Sequence, residues 1–225
     1  MKRLALAAIL GCQAIWAAEL ASEENLQYTI NWPSGLSLGE GRLKARKSAT
    51  ANWNFEFQFE AAVPGFSVSD RFASLTTGAE CSVNFDKEIQ HGKRKSQEKI
   101  EFDVQSGKAT RQTIGGGKSE IPFSGCARDA LAFIFHLRRE LAQGRIPAAQ
   151  NVIYGHPYRV RLEYKGSQKI KLGDSMEDSD RVLAYIKGPA SDFTIEFFLG
   201  KDNARTPLIV KLPLSLGTFS MELVR

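Results

Sequence analysis

Reactive side chains are scarce in this chain, which has three histidines and three cysteines in 225 residues. His91, His136 and His156 lie far apart and show none of the spacing that marks a metal site, so no metal is expected. No nucleophile, base and acid converge in the sequence. The reading is therefore of a non-enzymatic protein with no catalytic residue and no cofactor. Nor is there a repeat of fixed period or a compositional break that would mark a linker. Hydrophobic residues at 43% and charged residues at 24% describe an ordinary folded chain rather than a disordered one.

Three stretches imitate active-site motifs and lack their context. "GLSLG" at 35–39 satisfies the G-x-S-x-G pattern. Ser37, however, leads into an alternating strand rather than a strand-to-helix elbow. "IGGGKS" at 114–119 lacks the first glycine of a phosphate loop, and Pro122 stands where the next helix would grow. "GDSMEDSD" at 173–180 is acidic without the glycine and terminal glutamate of a calcium loop, and reads as a solvated hairpin tip.

The N-terminus departs from the average. In "MKRLALAAILGCQAIWAAELA", Lys2 and Arg3 precede an almost wholly apolar run from Leu4 to Ala18. That run is too short for a membrane span and fits a secretory signal peptide over residues 1–18. The protein is then expected in the periplasm, with no transmembrane span after cleavage. "ILGC" offers a rival lipid anchor at Cys12, disfavoured because the apolar run before it is short and continues past it. Losing Lys2 and Arg3 takes the formal net charge from +5 to +3. A chain so mildly basic is not a dedicated nucleic-acid binder. Cleavage also leaves an even pair of cysteines, Cys81 and Cys126, which in an oxidising compartment suggests one disulfide. Such a loop closure contributes about 4 kcal/mol on the chain-entropy model. Two separate buried thiols are the alternative.

From residue 24 to 225 the pattern is that of one β-rich domain. "LQYTINW" alternates apolar and polar residues, and Gly39 and Gly41 mark a bend or bulge in the strand after it. "NWNFEFQFEA" sets Trp53, Phe55, Phe57 and Phe59 on one strand face. Residues 66–77 read as a less regular strand or a turn of helix, and 81–105 as a hairpin about His91-Gly92. After Pro147 the β pattern resumes in seven strand-length runs. They include separate runs for "YRVRLEYKG" and "SQKIKLG".

One helix is expected, over about 129–143, stopping at Gly144. At about 100° per residue, Ala130, Leu131, Phe133, Ile134, Leu137 and Leu141 share its apolar face. Asp129, His136, Arg139 and Glu140 lie opposite, and Arg138 intrudes on the apolar side. The fold class is α+β and mostly antiparallel: a large curved sheet or open barrel wrapped around that helix.

The order of these features resembles a bacterial exported family called domain of unknown function 3108. The matching pieces are "YTINWPSGLSLGEGRLKA", "NFD" at 84–86, "RDALAFIFHLR" at 128–138 and "LGKDNARTPLIVKLPLSLGTFSMEL". The resemblance places Asp129, Arg138, Asp202, Arg205 and Pro207 on the family pattern. It implies an envelope location and a β-rich fold, and supplies no activity.

The functional expectation is a periplasmic binder or carrier of a lipid or lipidated partner. Trp53, Phe55, Phe57, Phe59, Phe133, Leu137 and Arg138 are its candidate ligand-binding residues. The ring wall is expected to meet Leu131, Ile134 and Leu137. Burying each ring contributes about 1.5–3 kcal/mol, enough to make the wall pure core without a ligand. The alternative is a structural or assembly protein that works through contacts with other envelope proteins.

Overall fold

The computed structural model describes residues 22–63, 65–189, 191–214 and 217–225. The signal-peptide reading over 1–18 and the Cys12 anchor lie outside the described residues. Eight strands come first: β1 (Glu23–Asn31), β2 (Ser37–Lys47), β3 (Trp53–Val63), β4 (Phe66–Thr76), β5 (Ser82–His91), β6 (Arg94–Asp103), β7 (Lys108–Thr113) and β8 (Lys118–Pro122). The short β9 (Arg128–Asp129) then leads into α1 (Ala130–Ala142). Six strands follow: β10 (Gln150–Ile153), β11 (Pro157–Leu172), β12 (Ser175–Lys187), β13 (Asp192–Gly200), β14 (Pro207–Leu214) and β15 (Gly217–Leu223).

These fifteen strands form one sheet, in the order β8-β7-β6-β5-β4-β3-β2-β1-β15-β14-β13-β12-β11-β10-β9. The chain meanders outward on one side of β1 and returns on the other, so its first and last strands pair at the seam, Tyr28 against Leu223. All pairings are antiparallel except β9 with β10. In such a meander the turns alternate between two rims. Those at 48–52, 77–81, 104–107, 123–127, 173–174 and 201–206 fall on the rim where α1 lies. Those at 32–36, 92–93, 114–117, 154–156 and 188–189 fall on the opposite, open rim.

The helix is pinned at its start. Asp129 is the N-cap and accepts from Leu131 N at 2.9 Å and Ala132 N at 3.1 Å. Its second oxygen accepts from Ser74 Oγ at 2.6 Å and Ser82 Oγ at 2.5 Å. Burial pushes the Asp129 carboxyl up, and these four donors oppose that shift. Gly144, at φ +73°, ends the helix as the sequence suggests. The sheet covers α1 on two sides. Leu131 and Phe135 join a cluster with Trp53, Phe55, Phe85 and Ile100 from the first half of the sheet. Phe133, Leu137 and Leu141 join another with Val160, Leu162, Val182 and Phe197 from the second half.

Several expectations need correction. Residues 66–76 are a regular strand, and β11 is continuous through "YRVRLEYKGSQKIKL", with a register shift between Tyr164 and Ser167 that absorbs the glycine. The acidic segment is not a hairpin tip: the turn is at 173–174, Ser175–Asp180 is strand, and Asp180 is buried. Asp129 is buried rather than on a solvated face because it caps the helix inside the sheet. Ile134 and Leu137 pack in the second cluster, away from the ring wall. Phe135, on neither predicted face, is the residue that stacks on Phe55, with centroids 3.8 Å apart. A helix covered from two sides buries more than one stripe.

The disulfide Cys81–Cys126 is present, joining the turn before β5 to the segment before β9. The bulge expected near Gly39 is also present, as a register shift opposite Ile30 and Asn31. A Cβ on Gly39 would sit 1.8 Å from the carbonyl oxygen of Glu60. Backbone cannot yield there as a side-chain end could. Gly39→Ala is expected to destabilise the fold by about 1–3 kcal/mol, read as a lower urea midpoint with unchanged slope.

Candidate functional site

The strand register sets which side chains face the helix. Along β3, Trp53, Phe55, Phe57 and Phe59 share that inner face, opposite Lys47, Ala45, Leu43 and Gly41 on β2. Their environments differ. Trp53 and Phe55 are sealed, at 4% and 0% exposure, with Phe55 stacked on Phe135. Phe57 and Phe59 lie farther toward the open rim, beyond the helix, and stay partly exposed. The ring wall is therefore core at one end and accessible surface at the other.

The accessible end continues across the seam. Tyr28 and Ile30 on β1 face inward beside Gly41 and Gly39. Met221 pairs with Ile30, and Phe219 with Leu212. Trp32 meets Phe219 edge-on, with centroids 4.9 Å apart. Ile30, Trp32, Leu212, Phe219 and Met221 are all partly exposed. Gly41 floors this surface: a Cβ there would lie 3.5 Å from both the Met221 sulfur and the Phe57 ring. The result is a partly exposed apolar stripe on the curved inner face, a trough running from β3 through the seam to β14. Its bounding polar group is Asp70, opposite Phe59 on β4, which accepts from Gln90 N at 3.2 Å and lies 3.1 Å from His91 Nε2.

The helix residues singled out in the sequence do not line this trough. Phe133 and Leu137 are buried in the second cluster. Arg138 is fully buried and engaged: Nη1 and Nη2 donate to the two Glu24 oxygens at 2.8 and 2.7 Å, and Nε donates to the Ala204 carbonyl at 3.0 Å. Its guanidinium carbon lies 4.8 Å from the Phe135 ring centroid.

Ala204 belongs to the "DNARTP" turn, which organises a second cluster of charges. Asp202 accepts from Thr206 N and Oγ1, both at 3.2 Å. Arg205 donates to Asp180 at 2.7 Å, and Pro207 O accepts from Tyr28 OH at 3.0 Å. Burial would push the Asp180 carboxyl up, but Lys201, Tyr164 and Ser167 hold it below its usual range. Burial pushes the Tyr28 hydroxyl up.

A third polar group sits on the inner face of β5–β7. Lys87 pairs with Glu98 at 2.8 Å and lies 4.3 Å from the Tyr154 ring centroid. Arg111 donates to Gly155 O at 3.0 Å and lies 3.0 Å from His156 Nε2. These contacts dock the β10–β11 turn onto the first half of the sheet. Among the described residues no group of three or more His, Cys, Asp or Glu could hold a metal ion. Ser37 is the first residue of β2, and Gly117 and Lys118 belong to the β7–β8 hairpin, so neither motif acquires the context its chemistry requires.

Two surface pockets lie elsewhere. One, about 450 Å³, touches Arg71, Glu88, Gln97 and Ile114. The other, about 480 Å³, touches Phe123, Asn151 and Arg159. Neither reaches Trp53, Phe55 or the helix. Among the trough residues, sequence reasoning found Phe57 and Phe59 and missed Trp32, Phe219 and Met221. Each of these sits in an alternating strand in the sequence, but only the β1–β15 pairing brings them together.

Arg138 is fully buried and Glu24 largely so; removing one partner of such a pair strands a charge, at a cost of about 3–5 kcal/mol. Arg138→Met alone or Glu24→Leu alone is expected to lose that much stability in urea unfolding. The double variant is expected to recover most of it. Additive losses would mean that the pair is not the interaction that matters.

The comparisons with known proteins agree with this architecture. A crystal structure of a β-barrel-like protein of domain of unknown function DUF1849 from Brucella abortus is similar in fold, with a TM-score of 0.62. The similarity covers 89% of this chain and 95% of that one, at 9% sequence identity, and so speaks to fold alone. No curated protein matches the sequence. Residues 27–224 match the family described as "Protein of unknown function (DUF3108)", which spans both halves of the sheet, the helix and the "DNARTP" turn. The chain is a member of the DUF3108 family.

Proposed function

We propose that this is an exported, non-catalytic protein of the cell envelope that binds the acyl chain of a lipid or lipidated partner in the trough. The observation that carries the reading is the division of the ring wall. Trp53 and Phe55 are sealed by the helix, whereas Phe57 and Phe59 continue on the same face into partly exposed Trp32, Phe219 and Met221. An apolar stripe of that extent, rimmed by polar side chains, is the kind of surface that marks ligand or protein contact. The Cys81–Cys126 disulfide suits an oxidising compartment, in keeping with the apolar leader in the sequence. Among the described residues no helix is long and apolar enough to cross a membrane. Envelope residence would then rest on export rather than on a helical anchor among the described residues.

Trp32 and Trp53 report on the two ends of the wall. In chain lacking residues 1–18, a fatty acid brominated along its chain is expected to quench Trp32 strongly in the Trp53→Phe variant. It is expected to leave Trp53 unquenched in the Trp32→Phe variant. Equal quenching, or none, would rule out the trough. Phe59→Ser, on the partly exposed end, is expected to weaken binding by about tenfold or more, the worth of one large apolar contact. Native mass spectrometry of chain purified from cells without detergent should show a lipid adduct that this variant loses.

A further inference from the structure

Unpaired cations concentrate on the open rim of the sheet. On the helix rim four cations are paired, Arg46 with Glu23, Lys108 with Glu120, Arg145 with Glu140 and Lys201 with Asp180, although Lys171 beside the 173–174 turn is exposed without an ion pair. On the open rim Lys93, Arg94 and Lys95 crowd the β5–β6 hairpin, and Lys118 follows the β7–β8 turn. All four are exposed, and among the described residues none makes an ion pair. The open-rim turns at 32–36, 92–93, 114–117, 154–156 and 188–189 contain no acidic residue.

Two exposed apolar side chains stand on the same rim, Leu36 at 66% and Ile114 at 55% exposure. Ile114 is not a loose tip. Its N–H donates to Gln97 O at 2.9 Å, and its side chain lines a shallow surface pocket with Lys95 and Ser96. Glu88 and Arg71, of opposite charge, line the same pocket. Unpaired cations beside exposed aliphatic side chains complement a surface that is anionic outside and apolar beneath. That combination describes an anionic phospholipid bilayer more closely than an acidic protein, which would supply carboxylates but no apolar layer.

We infer that the open rim docks on anionic bilayers, with Lys93, Arg94, Lys95 and Lys118 against lipid phosphates and Leu36 and Ile114 in the headgroup layer. This goes beyond acyl-chain binding and does not depend on it. Docking sets the mouth of the trough against a membrane, whether or not the trough holds a ligand.

The test is co-sedimentation of the purified, disulfide-intact chain with vesicles. One set is phosphatidylcholine alone; the other contains a minor fraction of phosphatidylglycerol. Binding is expected only to the anionic vesicles and is expected to fall steeply as salt is raised. Each cation near an anionic surface contributes about fivefold to binding, so Lys93→Glu/Arg94→Glu/Lys95→Glu should weaken it by about a hundredfold or more. The charge-matched variant Lys44→Glu/Lys99→Glu/Lys171→Glu, with changes away from this rim, should bind within a few-fold of the parent. Circular dichroism and urea midpoints confirm that both variants fold. Leu36→Asp/Ile114→Asp should also weaken binding. Equal binding to neutral vesicles, equal loss in the two triple variants, or tighter binding to polyglutamate than to anionic vesicles would overturn the inference. Phe59→Ser should dock normally, so failure of the trough and failure of the rim give different results.

Discussion

The arrangement depends on one guanidinium that has no access to water. Arginine stays charged at any physiological pH, so a fully buried Arg138 must find its compensation inside the protein. It takes two oxygens from Glu24 at the start of β1 and one from Ala204 in the β13–β14 turn. β1 pairs with β15 at the seam, so these bonds tie the helix to the place where the two halves of the sheet meet. The opposite end of the helix is tied to β4 and β5 through Asp129, Ser74 and Ser82. Apolar residues of equal volume would pack as well, but they would not fix where along the sheet the helix sits.

That position decides which aromatic residues become core. The helix runs from Ser74 and Ser82 at one end to Glu24 and Ala204 at the other, and therefore lies across the strands rather than along them. A helix with its side chains is about 10–12 Å wide. An eleven-residue strand such as β3 is roughly 36 Å long at the usual rise. A single crossing helix covers about a third of such a strand, which matches the sealing of Trp53 and Phe55 and the partial exposure of Phe57 and Phe59. No second helix is present among the described residues to cover the remainder. The trough follows from having one short helix against a very wide sheet.

Much of this was legible in the sequence because it was written locally. Alternation set the strands, the run without glycine or proline set the helix, and Gly144 set its stop. Arg138 was visible as a charge where an apolar side chain belonged. Partners on distant strands were not legible. Nothing near Arg138 points to Glu24, over a hundred residues away, and nothing near Phe59 points to Met221 or Phe219. Phe135 was left on neither face because one-stripe helix reasoning assumes one covered side. Here the sheet returns on the other. The acidic run misled for a related reason: Asp180 looked solvated until Lys201 and Arg205 arrived from the 201–206 turn.

The inner face also constrains what the proposed trough could hold. Its charged groups are largely committed to one another: Asp70 to His91, Lys87 to Glu98, Asp129 to two serines, and Arg138 to Glu24. What faces the open end is therefore mostly hydrocarbon and aromatic ring. A site that hydrogen-bonds its substrate rejects analogues by large factors, whereas an apolar surface separates ligands by only about 1–3 kcal/mol per methylene. A trough built this way would accept acyl chains over a range of lengths and read little of the headgroup. Selectivity among lipids would then have to come from the rim, where the cations are, rather than from the ring wall.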